Sequence, residues 1–120
     1  MTTTIIVEVI NGRSNEFGIN FADENGAIDL VATGVNRIII DYAGTDLDTD
    51  GAGVTTGASG NIDWETEGAS GNIIFRLGEL ATPITPGNYL CSAIVFTTTD
   101  TAGQEWRNIF QMNVKESKMG

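Results

Sequence analysis

The densest run of potential ligands in the 120-residue chain is Asp46-Leu47-Asp48-Thr49-Asp50-Gly51. It repeats the D-x-D-x-D-G opening of a calcium loop, where alternate carboxylates converge on a hard cation and glycine permits the sharp turn. Asp46, Asp48 and Asp50 are therefore the candidate metal ligands, and calcium is the one candidate cofactor. The acid that should close such a loop at its twelfth position is missing, because Gly57 stands there. An acidic hairpin loop, kept soluble by its own charge, fits that gap better.

A second carboxylate pair, Asp63 and Glu65, would share one face of a strand at about 6 to 7 Å separation. Glycoside hydrolysis can use two acids at such a distance. Pairs of this kind are common in acidic sheets, however, and a chain this short leaves little room for a substrate cleft, so we expect no enzyme. Trp64 and Trp106 could be exposed platforms for stacking on sugar. Each lies in phase with the apolar residues of its strand, and the core is the favoured place for both. Cys91, within Tyr89-Leu90-Cys91-Ser92-Ala93, is the chain's single cysteine and reads as a buried structural thiol. It excludes an intrachain disulfide.

Composition removes further classes. The chain has no histidine, so Ser-His-Asp and Cys-His catalysis, imidazole metal sites and a histidine switch near neutral pH are all excluded. Sixteen acidic against six basic side chains give a net charge of -10. Nucleic-acid affinity rests on Lys and Arg neutralising phosphates. Here the six cations are scattered, so neither nucleic acid nor an anionic membrane is an expected partner. With 41% hydrophobic residues and a mean hydropathy of zero, the chain suits a compact domain and not a disordered acidic tail. The segment Met1 to Ile10 has no basic start and is too short and interrupted for a signal peptide or a spanning helix.

The elements that must position these residues are strands. No window keeps an apolar pattern at helical spacing over three turns, whereas alternation is widespread. Trp106, Phe110, Met112 and Val114 fall on one face; Ile73, Phe75 and Leu77 share another; Ile38, Ile40 and Tyr42 share a third. Seven to nine strands are predicted, at about 3–10, 16–22, 27–31, 35–43, 52–56, 61–66, 72–77, 88–98 and 105–115. Asn11-Gly12 and Asn25-Gly26 supply tight hairpin turns, and Thr82 to Gly87 is a rigid connection carrying both prolines. Gly57-Ala58-Ser59-Gly60-Asn61-Ile62 recurs as Gly68-Ala69-Ser70-Gly71-Asn72-Ile73. Two copies do not make a solenoid, and we read the echo as one turn chemistry launching two successive strands that pair as a hairpin. The expected fold is all-β: one antiparallel β-sandwich over 1–120, with almost no helix and with 1–10 as its first strand or a docking arm.

The order of motifs resembles a known family. Ala27-Ile28-Asp29-Leu30 precedes Val35-Asn36-Arg37-Ile38-Ile39-Ile40, which runs into an acidic Gly-Asp hairpin. Then come Gly71-Asn72-Ile73-Ile74-Phe75 and Pro86-Gly87-Asn88-Tyr89, the latter opening a long alternating strand to Phe96. The series is similar to the immunoglobulin-like domain at the N-terminus of phage upper-baseplate proteins, found also in tail-fibre and other virion proteins of tailed phages. The resemblance covers most of residues 16 to 114. It implies a non-enzymatic structural protein present in many copies in a virion, in a tail, baseplate, neck or fibre-attachment position, or alternatively a capsid decoration protein. A carbohydrate- or cell-surface-binding β-sandwich is the rival reading. Implied partners are other virion proteins and copies of the chain itself, with no small-molecule substrate; the implied location is the virion, after synthesis in the host cytoplasm. The acids concentrate at 41–50 and 63–67, which would mark one pole of the sandwich and leave the end near 81–88 and the first strand for docking.

Overall fold

A computed structural model of the chain describes residues 5–51 and 53–118. Ten strands occur in chain order: β1 (Ile5–Asn11), β2 (Phe17–Asn20), β3 (Ala22–Asp23), β4 (Gly26–Ala27), β5 (Val35–Tyr42), β6 (Thr45–Asp48), β7 (Ile62–Asp63), β8 (Asn72–Phe75), β9 (Gly87–Thr97) and β10 (Gln104–Glu116). The only helical residues among those described are two single 3₁₀ turns, Gly68–Ser70 and Leu77–Glu79. The fold is an all-β sandwich, as expected.

One sheet has the order β1-β10-β9-β5-β6, the second β2-β8-β7, and β3 and β4 form a small hairpin between them. Labelled from β2 onward as B, C (β5), C′ (β6), D (β7), E, F and G, these sheets have the C′CFG and BED strand sets of an immunoglobulin sandwich. One departure from the expected antiparallel sheet is topological: β1 runs parallel to β10, Ile5 opposite Phe110 and Asn11 opposite Glu116.

Alternation explains the core. In β9, Cys91, Ala93 and Val95 point inward and are buried, as are Phe110, Met112 and Val114 in β10 and Ile38 and Ile40 in β5. The second sheet answers with Ile19, Ile62, Ile73 and Phe75. Phe17, Phe75 and Phe110 join the two layers, with ring centroids 5.2 to 5.6 Å apart. Between Trp106 and Phe110 the β10 strand bulges: these residues lie four apart yet pair with Ala93 and Cys91, two apart. The bulge keeps Trp106 on the inner face, and Asn108 takes the left-handed conformation within it (φ 52).

At the entry to β9, the Tyr89 hydroxyl donates to Thr85 O at 2.6 Å. A tyrosine at the start of strand F, bonded to backbone a few residues upstream, is the tyrosine corner of immunoglobulin sandwiches. Pro86-Gly87 sets the turn that makes this reach possible.

Several strand expectations are corrected. Residues 30–34 form a turn, since the Asp29 carboxylate accepts from Val31 N and Ala32 N at 3.1 and 2.9 Å and draws the chain out of the extended form. Residues 53–56 hold only an isolated bridge, Thr56 to Ile62, and the strand lies earlier, at β6. Asn11-Gly12 is no hairpin, because β1 and β2 belong to different sheets; there Gly12 N bonds Gly78 O at 2.8 Å. Asn25-Gly26 does serve the β3–β4 hairpin. The two echoed segments each close a turn from glycine N–H to glycine O, Gly60 to Gly57 and Gly71 to Gly68, both at 2.9 Å, just before β7 and β8. Those strands pair, Ile62 opposite Phe75.

Candidate docking edge and the acidic clusters

The three candidate metal ligands do not converge. The β5–β6 hairpin turns at Ala43-Gly44, both with positive φ, so Asp46 and Asp48 lie on a strand, not in a loop, and share the outer face of the large sheet. Asp46 sits opposite Asp41. Asp48 accepts from Arg37 Nε at 3.0 Å and also from Nη2, and Asp50 lies 3.4 Å from the same Nε. The Arg37 hydrogen bond holds the Asp48 carboxyl below the usual carboxylate range. The guanidinium also stands 5.2 Å from the centre of the Phe96 ring. A cation from the chain itself thus occupies two of the three carboxylates, and among the described residues no group of three or more Cys, Asp or Glu is placed to hold a metal ion.

Asp63 and Glu65 do not form the expected pair on a strand face. β7 ends at Asp63, because that carboxylate caps the chain beyond it: it accepts from Glu65 N at 2.9 Å, Thr66 N at 3.0 Å and Thr66 Oγ1 at 2.6 Å. Asp63 is fully buried, and Arg76 Nη1 donates to it at 3.2 Å while Arg76 Nε binds Glu16 at 2.8 Å. Burial works to raise the Asp63 carboxyl, but the bonds from Thr66, Glu65 and Arg76 outweigh it and hold the group at about 2. Such a carboxylate is a structural pin and not an acid or base for catalysis.

Both tryptophans are half-buried against the core. The Trp106 ring meets Phe21 edge-on at 5.1 Å, and its Nε1 donates to Ala22 O at 3.2 Å. Cys91 is fully buried, and that burial pushes its thiol up to about 12.

The feature that spacing did not single out is an apolar corner of the large sheet. Among the described residues four large hydrophobic side chains are exposed, Ile5, Ile6, Val31 and Leu90. Two of them share the outer face: Ile6 lies opposite Gln111, and Gln111 opposite Leu90, so Ile6 and Leu90 flank Gln111 in one row. Ile5 points inward beside Phe110 yet is 50% exposed, because it lies on the sheet's terminal strand. Among the described residues no strand pairs with the outer edge of β1. Its far end is closed by the turn at Gly78, which leaves Ile5 to Glu8 open. The signal was present as Ile5-Ile6-Val7, three uncharged β-formers in a chain of -10.

Two of the acids in the 41–50 and 63–67 segments, Asp48 and Asp63, are each paired with an arginine. Cations do gather at one end: Arg13, Lys115 and Lys118 line a depression of about 450 Å³ with Glu8, Ile10 and Glu116, at the close of β1 and β10. Lys115 Nζ binds Glu8 at 2.9 Å. Among the described residues, no helix is long and apolar enough to cross a membrane.

No family model matches the chain, and no curated protein or solved structure matches it either.

Proposed function

We propose that the protein is a non-enzymatic structural component of a tailed-phage virion, present in multiple copies in a tail, baseplate, neck or fibre-attachment position. The observation that carries this reading is the open edge of β1 with its apolar corner. A small sandwich whose remaining surface is strongly acidic offers the uncharged segment Ile5-Ile6-Val7 to a neighbour, and strand addition of this kind joins subunits through main-chain bonds. The motif order supports the phage assignment: three of the four matched segments fall on β5, β8 and β9, the segment at 27–30 leading into a turn instead, and Pro86-Gly87-Asn88-Tyr89 builds the tyrosine corner. The choice of tail over capsid decoration rests on the resemblance.

Removing residues 1–10 is not a clean test, because Val9 is 2% exposed and seven residues of β1 pair with β10. The test is incorporation. Phage particles assembled with the wild-type chain should carry it in stoichiometric, symmetric numbers, whereas Ile6→Lys should be depleted from particles while its free form melts normally. Absence of the wild-type chain from purified particles overturns the reading.

A second reading, carbohydrate binding, draws on a depression of about 200 Å³ beside Trp106, lined also by Asp23, Thr97, Asp100 and Gln104. Quenching of tryptophan emission on titration with sugars would favour it over a docking role.

A further inference from the structure

We infer that the partner of the open β1 edge is the same edge of a second copy, in an antiparallel pair about a two-fold axis through Ile6. This deepens the docking reading above and rests on it.

Three properties of the edge select this occupant. First, each end strand of the large sheet is handled differently: β6 carries Asp46 and Asp48, side chains of the kind that block strand addition, while β1 opens with Ile5-Ile6-Val7. A partner segment without charge is required, and the Ile5-Ile6-Val7 start of β1 is itself such a segment. Second, the register is self-complementary. With Ile6 opposite Ile6 of the second copy, Ile5 falls opposite Val7 on the inner face, so both faces of the pair match apolar to apolar. Third, this register sets the two Glu8 carboxylates four residues apart along the strands, about 13 Å. A pair centred on Glu8 would set them face to face. Each Glu8 keeps its bond to Lys115.

The pairing would continue one five-stranded sheet into its copy. Ile5 and Val7, which point toward the core side at the border of the sandwich, gain there the cover that their own second sheet does not supply. Two-fold pairs use the same patch on both subunits and so close on themselves without propagating.

The net charge gives a diagnostic sign. Two bodies of -10 repel while the contact itself is uncharged, so added salt should tighten the dimer. A contact built on ion pairs would loosen instead.

Sedimentation equilibrium of the full chain should show a species of twice 12.7 kDa growing with concentration and with salt. Ile6→Lys, at a site 63% exposed in the monomer and so tolerated by the fold, should weaken it at least roughly a hundredfold, because each substitution is made twice in a symmetric contact. Ile6→Cys should cross-link to itself under mild oxidation, and Glu8→Cys should not; Cys91 is buried and silent. A wild-type chain monomeric to millimolar concentration, or a dimer indifferent to Ile6→Lys, overturns the inference. A monomer that still enters particles rejects the self-pairing alone, and a β1 dimer absent from particles rejects the virion reading alone.

Discussion

Arg76 Nη1 donates to Asp63 Oδ2 at 3.2 Å, and the carboxylate it reaches has no exposed surface. The pair ties the end of β7 to the residue that follows β8, and Arg76 extends the tie to Glu16 ahead of β2 and to Gly60 O at 3.1 Å. One guanidinium therefore holds the outer side of the whole three-stranded sheet.

Acid should expose this dependence. The folded Asp63 carboxyl lies at about 2, below its ordinary value of 3.8, so the unfolded chain takes up the proton first as pH falls. The contribution is complete above about pH 4 and disappears as pH drops through about 2, amounting to roughly 2 kcal/mol. Urea denaturation at a series of pH values should show that loss in the wild type, and Asp63→Asn should lack this component.

Removing the carboxylate outright is more damaging than neutralising it. Asp63→Ala leaves Glu65 N, Thr66 N and Arg76 without their acceptor, and a cost of about 3 kcal/mol at pH 7 is expected. Equilibrium unfolding measures it. A cost under about 1 kcal/mol would mean that the turn after β7 does not depend on the cap.

Tyr89→Phe removes only the hydroxyl that binds Thr85 O. The corner should lose about 1 kcal/mol, or about 4 °C in Tm, with unchanged secondary structure by circular dichroism. An unaltered Tm would show the Pro86-Gly87 turn to be self-sufficient.

Gly78 packs where a side chain has no room: a Cβ there would overlap the carbonyl oxygens of Ile10 and Arg13. Gly78→Ala should force the turn away from β1 and cost about 2 to 3 kcal/mol, with hydrogen exchange rising first at Gly12, whose N–H binds Gly78 O. Exchange that rises uniformly instead would mean that β1 is not selectively loosened.

The Cys91 thiol, pushed up to about 12 by burial, should resist a thiol reagent at pH 8 in the folded protein and react at once in denaturant. Fast reaction in the native state would place the side chain elsewhere than the core.

How far the residues foretell all this depends on where each one's partner lies. β9 and β10 were readable almost to their ends, because long alternation reports burial on one face with no knowledge of the other sheet. β6 escaped that logic: its outward positions are Asp46 and Asp48, and a calcium-loop spelling and a charged edge strand are alike in one dimension. What separates them is Arg37, eleven residues before Asp48 and across a hairpin. Ile28 and Leu30 looked like strand residues because apolar spacing ignores Asp29, whose side chain captures the next two amides. Asp63 read as a surface acid for a similar reason, since its burial depends on Arg76, which is thirteen residues away. The parallel match of β1 to β10 leaves no local mark at all.

That last pairing also governs when the fold can exist. Of the described strands β1 leaves the ribosome before the others and β10 after them, and β10 is the strand that joins β1 to the rest of its sheet. Until β10 has emerged, pairs that do not need it, such as β5–β6, β5–β9 and β2–β8, can form, while Ile5 and Ile6 wait without a partner strand. Closure is therefore late and of high contact order, a kind of assembly that is slow and exposed to aggregation.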